Sequence, residues 1–268
     1  MKKIVLFLAM TLPLFVLAQD KAGIITYVET IKMDWKPPAD LEPEMKAQIE
    51  EMRKHMPKSI SNYRELAFNE EMAYYHVSPK QAEHEEQLNA NGGGHRGGRM
   101  MRMMGNADKK HHLNLKKNKY VEKVEFFGRD FLIKDEPIAH EWKIIGEVKE
   151  IAGYQCQKAT AMIDTTEIVA WFCPFIPVSA GPDGVGKLPG MILELVLRDG
   201  SVTLSAESVE VKAVNSDDYD VPKGGKTVSR TEFETIRDEK IAEMREEWKN
   251  RRKEGGGGGP RHIRVETH

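Results

Sequence analysis

Residues 191–211 read MILELVLRDGSVTLSAESVEV, and their pattern decides the fold. Asp199-Gly200 stands between two alternating apolar runs, the chemistry of a type I′ hairpin turn. A turn there sets Leu197 opposite Val202, Leu195 opposite Leu204 and Leu193 opposite Ala206. Those residues share one face with Met191, while Glu194 and Arg198 point the other way. The spacing predicts a central antiparallel hairpin with one face in the core. Just before it, Leu188-Pro189-Gly190 makes the corner that launches the strand: Pro189 fixes φ, and Gly190 supplies the positive φ of a type II turn.

A second hairpin precedes it in GYQCQKATAMIDTTEIVAWFCP, residues 153–174. A two-residue turn at Asp164-Thr165 brings Cys156 opposite Cys173 at a non-hydrogen-bonded pair, where disulfide geometry is within reach. The expectation is a structural disulfide, stabilising by about 3 kcal/mol on the loop-entropy argument.

Working outward, GIITYVETIKMDW places Ile25, Tyr27, Ile31, Met33 and Trp35 on one parity, a half-buried strand. The period then changes: Leu41, Met45, Ile49, Met52 and Met56 recur at helical steps up to Pro57. Strands are expected at 61–68, 71–77, 120–127 and 130–134, and in HEWKIIGEVKEI, where Trp142, Ile144 and Val148 share a parity. Ser229 and Glu232 form a capping box, followed by the stripe Phe233, Ile236, Ile241, Met244 and Trp248. The predicted class is mainly β (α+β): a strongly curved antiparallel sheet of meander hairpins, with a packing helix after the first strand and a C-terminal helix. The domain spans 19–225, the helix 226–254 and a flexible tail 255–268. A disordered insertion rich in Gly, Met, His and Arg occupies about 87–112.

The N-terminus, MKKIVLFLAMTLPLFVLAQ, has two lysines, an apolar run and a small-residue site near Ala18. The run is shorter than the roughly 20 residues of a membrane span. Residues 1–18 therefore read as a cleaved secretory signal. The mature chain is expected to be exported, periplasmic or outer-membrane-associated, with no lipid anchor or transmembrane helix. A formal charge of −2 over 268 residues argues against a global polyanion partner, and export argues against nucleic acid.

Three phrases, EWKIIGEVKEIAGYQCQKATA, VAWFCPFIPVSAGP and KLPGMILEL, occur in an order and spacing that resembles the GLPGLI family of exported Bacteroidetes-type proteins. The name motif stands here as Lys187-Leu188-Pro189-Gly190-Met191-Ile192, with lysine for its first glycine and methionine for its second leucine. The resemblance implies an exported β-rich protein without an established activity, with an outer-membrane or other envelope protein as a neighbour. It carries over no catalytic residue.

Four functional readings compete. The crossover FCPFIPVSAGPDGVGKLPG is either strand plumbing or the rim of an apolar pocket for a ligand or partner, with Phe175, Ile176, Pro177, Gly181, Pro182, Leu188, Pro189 and Gly190 as its residues. The insertion offers His95, Met100, Met101, Met103, Met104, His111 and His112, thioether and imidazole ligands suited to Cu(I). Its charge works against a cation: from Gly92 to Lys119 there are eight Lys or Arg against one Asp. That basic loop, 92–119, would instead suit an anionic surface. Hydrolysis would need His140 brought to Ser179, since no nucleophile elbow, phosphate loop or HExxH motif is present. The preferred reading is a non-enzymatic binding protein without a cofactor.

Overall fold

Both hairpins read from the sequence are present in the expected register. The computed structural model describes residues 21–33, 57–90, 109–163 and 165–253, with helical positions 46, 47, 50, 51 and 54 between the first two stretches. Leu195 faces Leu204 and Leu197 faces Val202. The turn between them is type I′: Asp199 and Gly200 both have positive φ, and the Ser201 amide donates to the Arg198 carbonyl at 3.0 Å. In the other hairpin Ile163 faces Thr166 and Gln157 faces Phe172.

Twelve strands form one sheet among the described residues. In chain order they are β1 (Gly23–Lys32), β2 (Ser59–Phe68), β3 (Met72–Val77), β4 (Lys110–Asn114), β5 (Lys119–Phe126), β6 (Arg129–Asp135), β7 (Lys143–Ile151), β8 (Tyr154–Ile163), β9 (Thr166–Cys173), β10 (Met191–Leu197), β11 (Val202–Val211) and β12 (Lys226–Val228). Helix α1 covers Lys80–Ala90 and α2 covers Arg230–Lys253. The order β12-β6-β5-β4-β3-β2-β1-β11-β10-β9-β8-β7 is two meanders joined where β1 pairs with β11. All pairs are antiparallel except β12 with β6. Register breaks lie at Thr26/Tyr27, Ile192/Glu194 and Ile145/Val148, and such bulges bend and twist a sheet. The second meander curls until β7 meets β11 again.

The concave face holds the main core: Ile25, Tyr27, Leu66, Phe68, Tyr75, Leu193, Leu195 and Leu204 are all buried there. A second cluster, Val124, Phe126, Phe131, Ile133, Val228 and Phe233, seats α2 on β5 and β6. The capping box is formed: Ser229 N–H donates to Glu232 Oε2 at 2.7 Å, and Glu232 N–H donates to Ser229 Oγ at 3.2 Å. The helix begins at Arg230, after the short strand β12, rather than at 226.

Several expectations are corrected. Ile144 and Val148 are 51% and 62% exposed, because β7 is a terminal strand and its bulge breaks the alternation. The proposed insertion is smaller than expected: α1 runs to Ala90, and Lys110–Asn114 is strand β4 between β3 and β5. Cys156 and Cys173 are buried free thiols rather than a disulfide. The register still aligns them, one step beyond the Gln157–Phe172 pair, and a hydrogen bond to Cys173, then burial, holds the Cys156 thiol above its ordinary pKa. Residues 1–18, the stripe Leu41, Met45, Ile49, Met52 and Met56, and the tail 255–268 lie outside the described residues. No described helix is long and apolar enough to cross a membrane.

The bulge at Leu193 is stabilised by one buried bond, in which the Tyr27 hydroxyl donates to the Ile192 carbonyl at 2.6 Å. Tyr27→Phe leaves that carbonyl without its donor in the core and is expected to cost about 1–3 kcal/mol, read from urea unfolding. A loss no larger than that of Tyr63→Phe, at a half-buried outer position, would show the bond to be dispensable.

Candidate binding cleft

Residues 174–190 join β9 to the adjacent β10, but the chain does not turn back directly. It lies across the concave face as a strip buried at alternate positions: Ile176, Val178 and Ala180 point into the core, while Phe175 and Pro177 are exposed. Val178 N–H donates to Ile176 C=O and Ala180 N–H to Val178 C=O, at 2.8 and 2.9 Å, a run of three-residue turns. The strip is then stitched to the strand it precedes: Met191 N–H donates to Ile176 C=O and Ile192 N–H to Ala180 C=O, both at 2.9 Å.

Two glycines make this path sterically accessible. Gly190 has φ +157°, and a Cβ there would sit 2.2 Å from the Cys173 carbonyl oxygen. This is not the type II turn expected from the Pro-Gly pair, whose glycine has φ near +80°. Gly184 has φ +75°, and its missing Cβ would meet the Tyr120 ring at 2.7 Å.

Side chains fasten the strip from three directions. Lys109 pairs with Asp183 and lies 3.4 Å from Glu122. Trp142 Nε1 donates to the Gly186 carbonyl at 2.9 Å, and Lys187 Nζ donates to Asn118 Oδ1 at 2.5 Å. Burial would lower the Lys109 pKa, but Asp183 and Glu122 raise it. Burial would likewise raise Asp183, which Lys109 instead lowers. Tyr120 donates to Glu122 Oε2 at 2.9 Å, and Arg230 stacks over the Tyr120 ring at 4.8 Å. This belt of charge separates the two apolar clusters. Within it His111 lies between Tyr75 and Tyr120, at ring distances of 4.9 and 5.1 Å, and its buried Nδ1 has no hydrogen-bond partner among the described residues.

Beside the strip opens a cleft of about 320 Å³. Leu113, Leu115, Pro137, Pro177 and Val178 supply apolar walls, and Glu70, Asn118, Ser179 and Lys187 supply polar edges. Of the rim expected from the sequence, only Pro177 lines it. Ile176, Gly181, Pro182, Leu188 and Gly190 are buried as packing of the strip. Phe175 and Pro189 are exposed away from the cleft. The missing wall comes from the β4–β5 turn and Pro137, distant in sequence, and no local motif announces it.

The copper set is divided. His111 and His112 are buried at 1% and 7% exposure in β4, one on each face of the sheet, so the two do not share one metal ion. His95, Met100, Met101, Met103 and Met104 lie outside the described residues. No group of three or more His, Cys, Asp or Glu among the described residues is placed to hold a metal. His140 packs on Trp142 at 5.5 Å, and no described bond joins it to Ser179.

The architecture is that of a mainly antiparallel β domain with a covered concave face. The family described as N-glycanase peptide, N-terminal domain, matches residues 108–237, just under half of the chain. Among solved structures, PNGF-II in its C2 crystal form is similar at a TM-score of 0.50 and 17% identity, over 81% of this chain and 32% of that one. Its P21 form gives a TM-score of 0.49 at the same identity, over 81% and 33%. The chain thus spans about a third of the length of those proteins, and the likeness is one of fold. No curated protein matches.

Burial first, then the Lys109 cation, holds the His111 pKa down to about 3. In the unfolded chain histidine takes up its proton near pH 6.5. The unfolded state therefore binds more protons between those values, and stability falls as pH drops through that window. His111→Phe removes this share, up to about 2 kcal/mol at pH 5. Urea unfolding at pH 7 and pH 5 is expected to show a smaller acid loss in the variant. Equal losses would mean that His111 is already charged in the fold.

Proposed function

We propose that this chain is an exported cell-envelope binding module, without catalytic chemistry of its own, that takes a ligand or partner segment of mixed polarity in the cleft beside residues 174–190. The observation that carries this reading is the fastening of the strip. Backbone bonds, an ion pair and a tryptophan hold it over the core, yet leave an open recess with convergent polar groups at its edge. A largely pre-formed concavity of this kind is what ligand sites share. The secretory signal and the GLPGLI resemblance support the envelope location, and the likeness to an N-terminal domain supports a role as a module.

A photo-crosslinking residue in place of Lys187, on the cleft edge, is expected to trap a discrete adduct in the envelope of producing cells. The same residue in place of Thr235, exposed on α2, is expected to trap none, and Leu115→Arg in the cleft wall should abolish the adduct. Equal labelling from both sites would remove the cleft from the function.

A further inference from the structure

The outer face of the sheet carries a charge that the fold does not use. Tyr74 pairs with His112 and Tyr75 with His111, so the same register sets His76 beside Lys110. On its other side Lys110 pairs directly with Lys123 of β5. Two ammonium groups facing each other across a ladder repel. Lys123 also pairs with Asp130 at 2.6 Å. Lys109, the preceding residue, spends its charge on the concave face with Asp183 and Glu122. Lys110 makes no ion pair or hydrogen bond among the described residues.

Lys110 stands at a recess of about 240 Å³ lined by Tyr74, His76, Val77, Lys109 and Lys110. The Tyr74 ring is held by His76 at 5.4 Å and Tyr219 at 5.3 Å, but its hydroxyl has no hydrogen-bond partner among the described residues. Burial, then Asp220, raises its pKa, so the hydroxyl remains a donor. His76 Nδ1 donates to the Val77 carbonyl at 2.7 Å, and its Nε2 lies 3.9 Å from Glu65. Among the described residues, the acidic groups beside Tyr74 and His76 are Glu65, set against His76, and Asp220, whose carboxylate lies 3.9 Å from Lys223, while Asp183 and Glu122 engage Lys109.

We infer that this recess binds a phosphate group, with the Lys110 ammonium as counter-charge and the Tyr74 hydroxyl as second donor. A lysine serves phosphate as a point charge, whereas planar carboxylate recognition is the work of a guanidinium fork, which the recess does not contain among the described residues. The cross-strand repulsion is relieved when the anion is bound. The phosphate can be free or carried on a lipid headgroup, and the two sources are separable. The site lies on the face of β3 and β4 opposite the Leu113 cleft, so it stands independently of the function proposed for that cleft.

The test is calorimetric titration of the full chain with inorganic phosphate at low ionic strength, beside sedimentation with phosphatidylcholine vesicles with and without phosphatidylglycerol. Saturable binding is expected in at least one arm: phosphate alone marks a free ligand, and anionic vesicles alone mark a headgroup. It should weaken about tenfold or more in Lys110→Ala, weaken in Tyr74→Phe, and persist in Lys134→Ala, an exposed lysine of β6. Without phosphate, Lys110→Ala should melt above the parent chain because the facing lysines no longer repel. No binding in either arm, equal loss in Lys134→Ala, or a lower melting point for Lys110→Ala would overturn the assignment.

Discussion

The structure depends on the backbone of one residue, Ile192. Its amide is held by the crossing strip through Ala180, and its carbonyl by the hydroxyl of Tyr27 from the first strand. A residue at a bulge loses ladder partners, and in a dry core those groups must find others. Here the replacements come from two parts of the chain far apart in sequence. One residue thereby ties together the first meander, the second meander and the strip that covers both.

Once that tie exists, the rest of the concave side is constrained. The strip has to pass close enough to β9 that only a glycine fits at 190, and close enough to Tyr120 that only a glycine fits at 184. Its charged side chain, Asp183, must then be met by a cation, and Lys109 supplies it. Buried pairs of this kind add little net stability over apolar packing, but they discriminate strongly against misplacement, since a lone buried charge is costly. The belt of Lys109, Glu122, Arg230 and Tyr120 thus sets where the strip lies. The cleft beside it is the space left over by that placement.

Much of this was legible in the sequence where alternation and turn chemistry agree. Asp199-Gly200 and the Asp164-Thr165 corner gave both registers, and Ser229 with Glu232 gave the start of the last helix. The turns Phe127-Gly128 and Ala152-Gly153 have the same positive-φ geometry, but phenylalanine and alanine are poor residues for it, so only their glycines hint at it. Composition assigns His111 and His112 to the neighbouring loop, whereas the short alternation with Leu113 makes them a strand. The cleft was partly legible. Pro177 belongs to it, but Leu113, Leu115, Asn118 and Pro137 reach it only through the curl of the sheet, which depends on bulges that no local pattern marks.

The topology has a consequence for the order in which the molecule forms. Strands β1–β6 and β7–β11 are each built from neighbours in sequence, so each half-sheet can assemble from local hairpins. The seam between them, Gly23 to Val211, joins residues at nearly opposite ends of the described chain. After β11 the chain runs back along the first meander, where Asn69 donates to Val214 and Ser216 and Tyr219 packs on Tyr74, before β12 adds to the far edge. Such non-local closure is slow relative to hairpin formation. The first strand is therefore made early and must wait for one of the last, leaving an open sheet edge throughout synthesis, and the strap from 212 to 225 can tighten only after the seam has closed.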